Sequence, residues 1–315
     1  MAARAARSGL RRVPTRFTLI GIARRAAWAG AALARTRDGT AARKRFGQHF
    51  LVDRAVVDAI VRAVDPRPGD RLIEIGPGRG ALTGPLVAAL GPDPAFPLEA
   101  IEIDRDLAPR LQARFGERLV VHRADALEFD VGAGQRPRLV GNLPYYISSP
   151  LLVHASGWSG HLIDQHFMLQ REVAERIVAA PGPDFGRLTV VLQNRYHALP
   201  LFDVPPEAFD PPPRVQSTVI RMVPRSQPLT RQVAMLERLL TIAFGQRRKM
   251  LRATLGRWLA AEAPTFDLAA AAAIDPRLEP LRDDTRRAET IGVDCWCALA
   301  DRLDAGQGRS ISSIL

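Results

Sequence analysis

The stretch RLIEIGPGRGALT, Arg71 to Thr83, constrains this chain more than any other. An apolar run ends at Glu74, and Gly76, Gly78 and Gly80 then lead into residues suited to a helix. A strand, a glycine turn and a helix in that order open an α/β sheet, and the bare glycine backbone lets a ligand approach its N–H groups. The spacing is G-x-G-x-G. A pyrophosphate fingerprint ends in G-x-x-G, so a ligand with a sugar and a purine fits better than a dinucleotide. Taken alone, a strand–helix turn without a ligand is the competing reading.

Further strand ends follow in sequence. LEAIEID ends at Glu102 and Asp104, with Glu102 28 residues after Glu74, where a carboxylate grips ribose hydroxyls in units of this kind. RLVVHRADAL ends at Asp125, and a fourth apolar run, LVG, stops at Asn142. In a parallel sheet Gly76, Glu102, Asp125 and Asn142 share one edge, the edge at which open α/β sheets bind ligands. The fourth end continues as Asn142, Leu143, Pro144, Tyr145, which offers an amide oxygen, a proline-fixed backbone and an aromatic face. That combination suits a slot for a flat polar base, although a plain strand and turn would use the same residues.

Around this centre the chain is expected to be ordered from Arg43, with Asp53 capping a helix through Val64 whose buried face carries Val56, Val57, Ile60 and Val61. HFMLQ reads as a strand and REVAERIVAA as a helix. DFGRLTVVLQ places Phe185, Gly186 and Arg187 before another apolar strand. VPPEAFDPPPRVQSTVIRM reads as a proline-bounded loop, with Phe209 and Arg214 in reach of a substrate, and then an alternating strand from Val215 to Met222. From about Ser226 the pattern turns helical, as MLERLLTIAF, QRRKMLRATLGRWLA and an Ala-rich segment.

Charge sharpens the picture only locally. The net charge is +11, but residues 1–37 hold nine Arg and no acid, leaving 35 basic against 33 acidic side chains in the remainder. Residues 225–262 nevertheless carry eight Arg or Lys against two Glu, a patch suited to a phosphate backbone or to a solvated helix face. Cys295 and Cys297 flank Trp296 without a histidine partner, so neither a zinc site nor a disulfide framework is expected. No apolar run approaches the roughly 20 residues that cross a bilayer. Residues 1–40 read as a basic extension outside the fold, either a bacterial tail, a misassigned start or an organellar targeting segment.

Together, RKRFGQHFLVD, EIGPGRGALT, EIDRDLA, NLPYYISSPLL, MLQREVAERI, FGRLTV, PPEAFDPPPRVQSTVIRM and AFGQRRKMLRATL resemble the small-subunit ribosomal RNA dimethyladenosine transferases, the KsgA/RsmA family. The resemblance spans about residues 41–305. It implies an α/β class I methyltransferase (Rossmann-like) fold, a seven-stranded mostly parallel sheet with a reversed last strand, over 41–224. A small helical RNA-binding domain over 225–305 and a tail over 306–315 would follow. It also implies S-adenosyl-L-methionine as methyl donor, no metal, and N6,N6-dimethylation of two adjacent adenosines in the 3′-terminal hairpin of small-subunit (16S) RNA, with a role in ribosome biogenesis.

Carried onto this chain, the resemblance assigns donor contacts to His49, Leu51, Gly76, Glu102, Asp125 and Asn142. Asn142, Leu143, Pro144 and Tyr145 form the catalytic group, with the Asn142 side-chain oxygen and the carbonyl of Leu143 or Pro144 accepting from the target amino group. Phe185 is the second stacking candidate after Tyr145, and Arg247, Arg248 and Lys249 bind RNA. His49 and Tyr146 stand where relatives often have Asn. The implied partners are ribosomal RNA and the pre-ribosomal small subunit, with a monomeric, cytoplasmic enzyme or, if the extension targets it, a mitochondrial one. A large-subunit RNA methyltransferase and a non-catalytic assembly factor on the same fold are the rival readings.

Overall fold

The computed structural model describes residues 49–132 and 134–311, with side-chain surroundings up to Asp304. All of them belong to one compact unit, Thr40–Leu315. The basic extension over residues 1–40, the cluster Arg43, Lys44 and Arg45, and residues 312–315 lie outside the described residues.

In chain order the elements are β1 (Phe50–Leu51), α1 (Arg54–Val64), β2 (Leu72–Ile75), α2 (Thr83–Leu90), β3 (Leu98–Ile101), α3 (Leu107–Phe115), β4 (Leu119–His122) and β5 (Arg138–Asn142). Then come α4 (Ser148–Ser156), β6 (Gln165–Gln170), α5 (Arg171–Val178), α6 (Arg187–Arg195), β7 (Tyr196–Val204), β8 (Phe209–Asp210) and β9 (Ser217–Pro224). The chain closes with α7 (Val233–Phe244), α8 (Leu255–Glu262), α9 (Leu268–Ile274) and α10 (Val293–Ile311). The last helix therefore includes the first residues of the segment anticipated as a tail. No helix among the described residues is long and apolar enough to cross a membrane.

Seven strands form one sheet in the order β4-β3-β2-β5-β6-β9-β7. The pairs from β4 through β6 are parallel, whereas β9 runs antiparallel to both neighbours. Side chains alternate across it: Ile73 and Ile75 pack with α4, α5 and α6, and Leu72 packs with α1 and α2. Each such fully buried aliphatic contributes about 1.5–3 kcal/mol, so the sheet is held firmly on both faces. A separate core joins α7 to α10 around Trp296, and α6 lends it Val190 and Val191.

Local signals explain the element boundaries. Asp53 caps α1 by accepting from the N–H groups of Ala55 and Val56, and Val56, Val57, Ile60 and Val64 are buried. RLTVVLQ, anticipated as a strand, is helix α6. The Gly186 N–H donates to Thr189 Oγ1 at 3.0 Å and fixes the first turn, which a short apolar run alone does not reveal. QRRKMLRATLGRWLA is broken: α7 ends at Phe244, Met250 is extended and bridges to Arg287, and α8 starts only at Leu255. The final strand is buried on successive residues Ser217 to Ile220 and does not alternate, because it lies inside the sheet. Phe209 is also buried, in β8 paired with β1, and does not reach out from a loop.

Candidate active site

The C-terminal ends of β2, β3, β4 and β5 open into a pocket that His49, Leu51, Gly76, Glu102, Asp125, Asn142, Leu143, Pro144 and Tyr145 line together. At its floor the turn after β2 has left-handed backbone at Gly76 (φ +68°), Gly78 (+56°) and Gly80 (+83°). A Cβ on Gly80 would lie 2.9 Å from Leu111, and one on Gly78 would press 3.2 Å from the Phe50 ring. The left-handed backbone favours glycine at these positions, and a side chain at Gly78 or Gly80 would also push against Phe50 or Leu111.

The buried Glu102 carboxylate locks this turn to the next strand end. It accepts from the Gly78 N–H at 3.1 Å and from the Asp104 N–H at 2.8 Å. Burial pushes its pKa upward, and these N–H donors act in the opposite direction. Asp125 accepts from the Leu127 N–H at 2.9 Å in a tight turn after β4. Two carboxylates and a bare glycine backbone on one rim provide acceptors for hydroxyl and amino groups and close approach for a sugar, which fits a nucleoside-bearing donor.

At the end of β5, Gly141 gives the strand passage. A Cβ there would come within 2.4 Å of the Ile75 carbonyl oxygen. Asn142 Nδ2 donates to the His49 carbonyl at 3.2 Å, which turns Oδ1 the other way. The Leu143 N–H donates to the Met168 carbonyl at 3.2 Å, and the Pro144 carbonyl accepts from the Ile147 N–H at 3.1 Å. The Tyr145 hydroxyl pairs with Ser217 Oγ at 2.7 Å, and its ring lies 5.6 Å from that of His49 at 30°. His49 Nδ1 donates to the Pro211 carbonyl at 2.7 Å, so the imidazole is held from the loop after β8.

Two further residues, Glu74 and Tyr146, line the pocket without having been singled out as site residues, and Ser217 supports it from behind Tyr145. Glu74, at the end of β2, accepts from Thr83 Oγ1 at 2.6 Å, and burial raises its pKa to about 7. Its position as a strand-end carboxylate was the available signal. Ser217 holds the Tyr145 hydroxyl, and Tyr146 stands at the mouth.

Two expected RNA contacts are placed differently from their sequence readings. Phe185 is fully buried in the helical core, 6.5 Å from Phe244, and is not a stacking surface. The packing of α6 against α7 and α10 takes its ring inward. Arg247 pairs with Glu289 at 2.7 Å and donates to the Pro183 carbonyl, whereas Arg248 and Lys249 are exposed in the turn after α7.

Residues 39–274 match the family model described as "Ribosomal RNA adenine dimethylase". The chain is 51% identical over 278 residues to "Ribosomal RNA small subunit methyltransferase A" of Burkholderia mallei (strain SAVP1), covering 84% of this chain and 95% of that protein. The protein of the same name from Burkholderia thailandensis is also 51% identical with the same coverage. Among solved structures, a dimethyladenosine transferase from Plasmodium falciparum superposes with a TM-score of 0.67 at 24% identity, over 82% of this chain and 98% of that one. The 23S rRNA methyltransferase ErmE gives 0.61 at 25% identity, over 81% and 99%.

Proposed function

The chain belongs to the ribosomal RNA adenine dimethylase family, and from that premise we propose that it dimethylates N6 of two adjacent adenosines in the 3′-terminal hairpin of small-subunit ribosomal RNA. The chain is an enzyme, an S-adenosylmethionine-dependent rRNA adenine dimethyltransferase. The relatives named for the small subunit, at 51% identity over most of the chain, support that subunit over the large one. They are bacterial, which supports a cytoplasmic enzyme meeting the pre-ribosomal small subunit.

One observation carries the catalytic reading. The Asn142 amide nitrogen is engaged by the His49 carbonyl, and Asn142 lines one pocket together with Tyr145, Gly76, Glu102 and Asp125. S-adenosylmethionine, when bound, supplies an electrophilic methyl group on a sulfonium sulfur. Glu102 would accept the ribose hydroxyls, Asp125 would accept from the purine amino group, and Gly76, His49 and Leu51 would shape the remaining wall.

The target adenine leaves its stack and lies against the Tyr145 ring. Its amino nitrogen is a poor nucleophile because the lone pair is delocalised into the ring. Asn142 Oδ1 and a backbone carbonyl accept hydrogen bonds from its two N–H groups before the first transfer and from the one that remains before the second. They favour a pyramidal nitrogen and stabilise the positive charge that develops there, and each N–C bond formed is matched by loss of one N–H proton to solvent. Leu143 is the better source of that carbonyl, since the Pro144 oxygen already closes the turn to Ile147. Holding nitrogen and methyl in line supplies most of the remaining rate enhancement. Arg248 and Lys249 meet the RNA backbone.

Incubation with labelled S-adenosylmethionine and undermethylated small subunits, followed by mapping of the labelled nucleotides, tests this reading. Dimethylated adjacent adenosines near the 3′ end are expected. Label in large-subunit RNA, or no label, overturns it.

A further inference from the structure

The pocket holds two consecutive tyrosines, Tyr145 and Tyr146. Tyr145 is tied by its hydroxyl to Ser217, the first residue of β9, and lies beside His49. Tyr146 is 56% exposed and lines the same pocket as the Asp125 and Glu102 carboxylates. Those carboxylates follow β4 and β3. In the order β4-β3-β2-β5-β6-β9-β7, the strand that leads into both tyrosines, β5, stands between these two halves. Tyr145 is thus engaged on the β9 side of β5, and the exposed Tyr146 ring is left lining the pocket with the strand-end carboxylates of the other side.

Ile103 strengthens the assignment. It is 50% exposed and lines the same pocket directly after Glu102. An exposed aliphatic and an exposed aromatic near two acceptor carboxylates form the surroundings that a flat, amino-bearing purine and its sugar would fill. Each apolar surface loses water only when such a ligand arrives.

We propose that Tyr146 is a positioning residue for the methyl donor, its ring covering the donor's nucleoside half while Tyr145 serves the target base. This rests on the donor assignment made under the proposed function. Tyr146 acts through ring area and not through its hydroxyl, because an exposed ring closing over a purine contributes by excluding water from that face.

Calorimetric binding of S-adenosylhomocysteine to the full chain, to Tyr146→Ala and to Tyr146→Phe tests this, with steady-state kinetics on small subunits alongside. Tyr146→Ala is expected to weaken binding and raise the donor KM about tenfold, the effect of uncovering part of one ring. Its kcat at saturating donor and its KM for small subunits stay within about twofold, and Tyr146→Phe restores donor binding to within about threefold. Unchanged binding by Tyr146→Ala overturns the inference. So does a phenylalanine variant as weak as the alanine one, or a rise in the small-subunit KM instead of the donor KM. If the unaltered chain binds S-adenosylhomocysteine and the alanine variant binds it equally well, the inference fails alone; if the unaltered chain does not bind it, the donor assignment fails as well.

Discussion

Asn142 Nδ2 donates to the backbone carbonyl of His49, 3.2 Å away across 93 positions of sequence, so the residue before β1 sets which way the amide at the end of β5 faces. In the proposed reaction the oxygen of that amide is the acceptor for the target amino group. Asn142→Ala should therefore lower kcat by about 10²–10³-fold, the scale for deleting one charge-stabilising group, while S-adenosylhomocysteine binding weakens much less. Single-turnover methylation beside calorimetry checks it, and near-normal turnover would remove Asn142 from the catalytic role.

Gly141 carries a different burden. A Cβ there would meet the Ile75 carbonyl oxygen at 2.4 Å, and that neighbour is sheet backbone, which cannot swing aside as a side chain would. Gly141→Ala should cost about 1–3 kcal/mol or more, and it should shift the strand end that presents Asn142. Urea unfolding measures the first effect and turnover the second.

Glu74 makes stability depend on pH in a sense opposite to that of most paired acids. Burial raises its folded pKa to about 7 from an ordinary 4.5. The folded state then holds a proton that the unfolded state releases, so stability falls as pH rises through that window and the full penalty stands above about 7. Glu74→Gln keeps an acceptor for Thr83 and removes the penalty. Its gain over the unaltered chain should grow from near zero at about pH 4 to about 3 kcal/mol at about pH 8. A gain that is the same at both pH values would show that Glu74 does not titrate there.

The basic turn after α7 should divide by function. Arg248→Ala with Lys249→Ala should weaken binding to small-subunit RNA of any sequence and reduce the salt slope by nearly two, about one per lost phosphate contact. Arg247→Ala should reduce the slope by less than one, because Glu289 and the Pro183 carbonyl already engage its guanidinium. Salt titration of RNA binding by each variant separates them, and equal slopes would return the patch to an ordinary solvated surface.

The strand ends were legible for a physical reason. Each apolar run stops at a polar residue, and a parallel sheet brings Gly76, Glu102, Asp125 and Asn142 to one edge whatever the helices between them do. Phe185 was not legible. Whether an aromatic before a helix faces a ligand or a core depends on α7 and α10, tens of residues away. Nor could composition foresee that Glu289, 42 residues from Arg247, would take one charge out of the basic patch. The break before α8 was hidden likewise, since the bridge from Met250 to Arg287 is a tertiary event imposed on helix-forming residues.

The reversed direction of β9 ties the pocket to the order in which the chain is made. Because β9 runs opposite to its neighbours, it brings its first residue, Ser217, to the edge where the parallel strands bring their last. Pro211, just upstream, holds His49. A ribosome that has extruded every donor-side strand end has thus still made only part of the pocket, since the hydroxyl anchor and the imidazole anchor both emerge later. The aromatic wall is therefore complete only once β9 is made, and a chain that ends before Ser217 lacks both anchors.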